Sequence, residues 1–281
     1  MHLRSRFTKS LLVGLGLPLA AGVVLYGVAL LDTPSASAGL SQSESAVTPD
    51  AVDNAPWSDL LKAHVDDDGF VDYAAIKASP ANLDAYLKTL ARIDLSGADD
   101  DAKLAALINA YNAFMIKQVV DAWPINDVLK DLDDPFKAKR FTLGGEKVSL
   151  DQIENEMIRP QFDEPRIHWA VVCGAFSCPK LRNEAYAAET LEEQLADQAK
   201  YVHDSARYID FDGTTLKVTP LYDWYGGDFK KAAGSVLDYL AQQRPDVKRA
   251  MGNGTDIKLE FLPYSWDVND VDNRDKLEAM Q

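Results

Sequence analysis

The sequence predicts an α+β fold: a single domain whose helix-rich first half packs on a mainly antiparallel sheet with β-hairpins. Three observations carry this. Apolar residues recur at three- and four-residue spacing through the first half, two later stretches alternate around glycine-containing turns, and no internal repeat divides the chain.

Taken in order, globular character starts at Trp57, where "WSDLLKAHV" is a short amphipathic helix and "DDDGFVDYAAI" a turn followed by an extended piece. In "NLDAYLKTLARI" the apolar positions 83, 86, 87 and 90 share one helical face. The clearest helix is "DDDAKLAALINAYNAFMIKQVVDAW". Its opening aspartates complement the positive end of the dipole, Leu104, Leu107, Ile108, Tyr111, Met115 and Val119 form its stripe, and Pro124 ends it. "RFTLGGEKVSL" is a hairpin turning at Gly144-Gly145, and Ser149 with Gln152 forms the capping box of the next helix. "RIHWAVVC" reads as a buried strand, and "CPKLRNEAY" and "ETLEEQLADQAKYVHD" as helices. A second hairpin turns at Asp212-Gly213 in "RYIDFDGTTLKVTP", "WYGGDFKKAAGSVLDYLAQQR" holds a further helix, and "IKLEFLPYSWDV" one more strand. The domain is expected over 57–270, after a polar flexible linker over 39–56 and before a C-terminal tail over 271–281.

Composition narrows the partners. The 281 residues are 47% hydrophobic and 26% charged, with a net charge of −15. Such a surface repels phosphate backbones, so nucleic acid is excluded as a partner and a small molecule or another protein is expected. At the N-terminus Arg4, Arg6 and Lys9 precede an uncharged stretch, Ser10–Leu31, and Ala36-Ser37-Ala38 has the small-residue spacing of an export cleavage site. Residues 1–38 are read either as a cleaved signal peptide or as an uncleaved membrane anchor. Both readings put the body outside the cytoplasm, and only the anchor contacts the membrane.

The two cysteines, Cys173 and Cys178, are the only ones in the chain. On the predicted strand-to-helix junction Cys178 takes the N-cap, with Pro179 at the first helical position, where a thiol is acidified and becomes a better nucleophile. His168 on the preceding strand is its candidate base. A Cys173–Cys178 disulfide and plain core packing stand beside that reading. Asn109 and Asn112 sit mid-helix, where asparagine is a mediocre helix former, and so must bond either a neighbouring loop or a ligand. Glu154 and Arg159 can pair with each other, Arg159 and Arg166 are candidate ligand cations, and Trp224, Tyr225, Tyr264 and Trp266 can line an aromatic groove. No metal or cofactor is called for: "HVDDDGFVDYAA" places His64 and Ala75 where a calcium loop needs acids, and no zinc spacing or nucleotide fingerprint occurs.

Five motifs in one order make the chain resemble the family called domain of unknown function 547. They are "LINAYNAF", "GGEKVSLDQIENEMIR", "PRIHWAVVCGAFSCPKL", "LYDWYGGDF" and "LPYSWDVN", between Leu107 and Asn269. The resemblance implies that Asn109, Asn112, Glu154, Arg159, Arg166, His168, Cys173, Cys178 and Pro179 are family positions, and that bacterial members are often exported. Relatives usually carry histidine where Asn155 stands. The resemblance brings no reaction. Three functions are therefore carried forward: an extracytoplasmic thiol enzyme (acyl transfer or amide hydrolysis) with Cys178, His168 and Glu154; a binding module stapled by Cys173–Cys178; and a thiol–disulfide redox protein.

Overall fold

A computed structural model describes residues 45–278; the predicted signal or anchor and the first six residues of the predicted linker lie outside the described residues. Among the described residues no helix is long and apolar enough to cross a membrane.

Helices α1 (Ala55–His64), α2 (Tyr73–Ala78) and α3 (Ala81–Leu90) gather around α4 (Asp100–Ala122). Asp99 caps α4 by accepting the Ala102 N–H, and Asp100 and Asp101 lie in its first turn, as the acidic start predicts. Seventeen of its twenty-three residues are buried, so α4 is the axis of the first core and not a surface helix with one apolar stripe. The short α5 (Val128–Asp131) leads to the hairpin β1 (Phe141–Leu143) and β2 (Glu146–Val148), which turns at Gly144-Gly145 as expected. The Ser149–Gln152 capping box is present and opens α6 (Leu150–Gln152). That helix widens into a π turn, Ile153–Ile158, in which the Arg159 N–H reaches back five residues to the Glu154 carbonyl at 3.0 Å.

After α7 (Leu191–Asp204) a second core forms from β3 (Ile209–Phe211), β4 (Thr215–Val218), α8 (Leu221–Trp224), α9 (Gly226–Ala233), α10 (Val236–Gln243), α11 (Pro245–Gly252) and β5 (Lys258–Phe261). A last turn, α12 (Asp275–Glu278), ends the described chain. The fold is α+β, but its strands form two small sheets. β1–β2 stands alone, and β4 pairs antiparallel with β3 and parallel with β5. The first half therefore packs on loops more than on a sheet. The domain is also wider than 57–270. Val47 exchanges backbone hydrogen bonds with Arg92 and Asp94, which docks the end of the expected linker, and Val271 bonds Val71 in the expected tail.

The segment 165–187 departs most from the sequence reading. "RIHWAVVC" is a 3-10 turn, Pro165–Trp169, running into irregular chain, and "CPKLRNEAY" is an extended strap rather than a helix. A continuous apolar run marks burial without specifying a strand, and here side chains replace the ladder. Asn112 donates to the Ala170 carbonyl (2.9 Å) and accepts the Val172 N–H (2.8 Å). Asn109 does the same for both backbone groups of Tyr186. Gln198 on α7 donates to the Trp169 and Lys180 carbonyls, and the Tyr208 hydroxyl to that of Cys178. Gly174, at φ +72, makes the turn between the cysteines.

Candidate functional site

The irregular segment passes between the two cores and, with the π turn, α8 and the loop 264–266 after β5, encloses a cavity of about 330 Å³. Cys173 and Cys178 lie on one wall, Glu154 and His168 on another, and Trp224, Tyr264 and Trp266 line it as mutually packed rings. Tyr225 completes the wall behind His168, its ring stacked on the imidazole at 3.9 Å.

The thiols form one unit. Their sulfurs are in hydrogen-bond contact at 2.8 Å, and both are free. Cys173 is half-buried and touches the Tyr264 hydroxyl at 3.2 Å, whereas Cys178 is only 4% exposed and its sulfur accepts the Cys173 N–H. Burial opposes ionisation of both. At Cys173 it is outweighed by hydrogen bonds from the Cys178 thiol, Tyr264 and the Ala175 backbone, and the pKa falls; at Cys178 burial and the neighbouring sulfur push it well up. The premise on which Cys178 was expected to be the activated thiol, a helix start, is absent from the structure. Cys178 does not start a helix, so no dipole acts on it, and Cys173 is the more accessible and more acidic sulfur.

His168 is buried, at 2% exposure, and is not paired with either thiol: its Nε2 contacts Asp228 Oδ2 at 2.8 Å. Arg159 grips the same carboxylate through Nε (2.7 Å) and a terminal nitrogen (3.0 Å), and the His168 and Arg159 contacts hold Asp228 well below the usual carboxylate range. On the other side, His168 Nδ1 faces Glu154 Oε1 at 4.0 Å, and neither atom has a hydrogen-bond partner. Burial raises the Glu154 pKa, against the lowering influence of the Tyr225 hydroxyl, His168 and Arg159. Asn155, where the resemblance leads one to expect histidine, lines the cavity. It accepts from Arg159 (2.6 Å) and donates to Asp151 (3.1 Å).

The other predicted ligand residues lie elsewhere. The amides of Asn109 and Asn112 bond backbone on the far segment, and Asn109 also accepts the Trp57 indole N–H, so both hold the site's scaffold. Arg166 is engaged by Glu164 and Glu192 away from the cavity. Asp228 was not a sequence candidate. The signal was present in "WYGGDF", where an acid directly after a glycine pair sits in the first turn of α9, but only the partners of His168 and Arg159 reveal its role.

These features sit within a recognisable class, a helix-dominated α+β domain with a dithiol beside an acid–histidine cluster. Residues 95–201 match the family described as "Protein of unknown function, DUF547". No curated protein and no solved structure matches it.

Proposed function

We propose that this protein is an extracytoplasmic thiol–disulfide exchange enzyme with Cys173 as attacking thiol and Cys178 as resolving thiol. One observation carries the reading: two free sulfurs in contact at 2.8 Å, one on a half-buried residue and the other on a buried one. That division of labour is what exchange needs, because the attacking sulfur must be thiolate and reachable while the resolving one waits protonated. The charged and apolar pattern of residues 1–38 supports an oxidising compartment.

In the reaction, Cys173 thiolate attacks a substrate disulfide R–S–S–R′. A Cys173–S–R bond forms, the S–S bond breaks, and R′–S⁻ leaves with the Cys178 proton. Cys178 thiolate then attacks the Cys173 sulfur and expels R–S⁻, which takes a proton from water. The substrate gains two electrons, the enzyme holds a Cys173–Cys178 disulfide, and an external dithiol restores it.

The chain has no other cysteine, so a glutathione redox titration followed by alkylation and mass measurement reads this pair alone. The expected result is a loss of two hydrogens at one midpoint, with Cys178→Ser trapping a glutathione adduct on Cys173 and Cys173→Ser trapping almost none. Thiols that stay alkylatable in oxidised glutathione, or equal trapping by the two variants, would overturn the proposal.

A second reading, acyl transfer by Cys173, is favoured by His168, which lines the same cavity and contacts Asp228. Incubation with an activated ester should then leave one acyl group on Cys173. An unmodified mass would remove that reading.

A further inference from the structure

The orphaned pair at the cavity wall points to the chemistry of what binds there. Glu154 is 6% exposed and His168 2% exposed, both line the cavity, and Oε1 and Nδ1 are each without a partner. Buried polar atoms in folded proteins are seldom left unpaired, and a pair of them facing one another across 4.0 Å marks a place for a third group. Their separation is too long for a direct hydrogen bond.

The hydrogen-bond pattern decides the polarity of that group. Asp228 is clamped by Arg159 and is acceptor-only, so the proton on Nε2 is the one that bridges to it. In the one-proton ring Nδ1 is then a lone pair. Glu154 Oε1 is an acceptor as well, so two acceptors converge on one spot. A donor nitrogen about 2.9 Å from each subtends about 90° between them, close to the directions of two N–H bonds on an ammonium group. Aromatic rings around a buried carboxylate favour the same occupant, since cations are attracted to ring faces. Among the charged lining residues, Asp151 and Glu154 outnumber Lys137.

We infer that the cavity is a specificity site for a primary amine: Glu154 and His168 receive the ammonium group of the substrate, its apolar body lies against Tyr264 and Trp266, and its sulfur is presented to Cys173. This rests on the exchange reading and names its substrate class, an amine-bearing disulfide.

Three disulfides of similar length test it: cystamine, bis(2-hydroxyethyl) disulfide and 3,3′-dithiodipropionate. Each kcat/KM is divided by the rate of the same compound with free dithiothreitol, which removes intrinsic reactivity. The expected order is cystamine, then the diol, then the diacid, with cystamine at least about tenfold ahead, as loss of a charge-assisted hydrogen bond implies. Glu154→Gln should collapse that ratio, whereas Glu156→Gln, which removes the same charge from an exposed neighbour, should keep it. Equal normalised rates for cystamine and the diol overturn the inference in the parent protein, with no variant needed.

A binding measurement separates this from the exchange reading. Phenethylamine and 2-phenylethanol are titrated against tryptophan emission of Cys173→Ser protein, which cannot turn over. Preference for the amine without disulfide turnover by the parent would sink the exchange reading and keep the amine site. Disulfide turnover with no preference for the amine would sink the amine site alone.

Discussion

Asn112→Ala removes two hydrogen bonds in a fully enclosed place. The Ala170 carbonyl loses its 2.9 Å donor and the Val172 N–H its 2.8 Å acceptor, and the residue is 3% exposed. Each buried backbone group left unpaired costs about 1–3 kcal/mol, and the truncated amide leaves a small void, so the total is about 3–5 kcal/mol. In a domain of this size that lowers Tm by about 6–20 °C. Thermal unfolding followed by far-ultraviolet circular dichroism measures it, alongside the alkylation rate of Cys173, which is tethered one residue beyond Val172. Because the segment carrying the thiol is released, Cys173 should alkylate faster while its preference over Cys178 shrinks. Asn112→Asp keeps the acceptor toward Val172 but turns an oxygen on the Ala170 carbonyl, so it should melt early at pH 7 and recover when acid protonates the new carboxyl. An Asn112→Ala protein melting within about 2 °C of the parent, with turnover lost, would refute the reasoning and return Asn112 to ligand binding.

Three further outcomes are expected. Glu154→Gln should raise Tm at neutral pH: burial lifts the folded-state pKa above the ordinary value, so the carboxylate costs stability once pH rises through that raised value, and the gain should vanish below pH about 4 where both states are protonated; a lower Tm at pH 7 would contradict this. Asp228→Asn should lower Tm at pH 7, because a depressed pKa contributes stability above the ordinary carboxylate value and loses it as pH falls through the folded-state one, so parent and variant Tm values should converge in acid. Gly174→Ala should destabilise by about 1–3 kcal/mol, since a Cβ at φ +72 would sit 2.9 Å from the Met115 methyl; an unchanged denaturation midpoint would count against it.

What could be read from the chain depended on how local the cause was. The Ser149–Gln152 capping box, both hairpins and the acid-started α4 are set by neighbours in sequence, and all of them appear. Burial of "RIHWAVVC" was legible too, but not its conformation. The partners that satisfy its backbone, Asn112 and Gln198, lie 58 and 29 residues away, and nothing local states that amides stand in for a strand. The same distance hid the site's polarity. Placing Cys178 at a helix start came from a Cys-Pro step that is also compatible with an extended strap, and both sulfurs line the cavity. The odd asparagines were the most informative signal, since two amides in a core helix announced a buried loop before its shape was known.

The π turn has an architectural corollary. In an ordinary helix, residues five apart point about 140° away from each other. The wide loop between Glu154 and Arg159 instead lets one short stretch serve two compartments, an orphan acid for the cavity and a cation that grips Asp228 on α9. A single-codon deletion within 155–158 would restore common helical pitch and swing the guanidinium off Asp228 while leaving Glu154, His168 and both cysteines in the polypeptide.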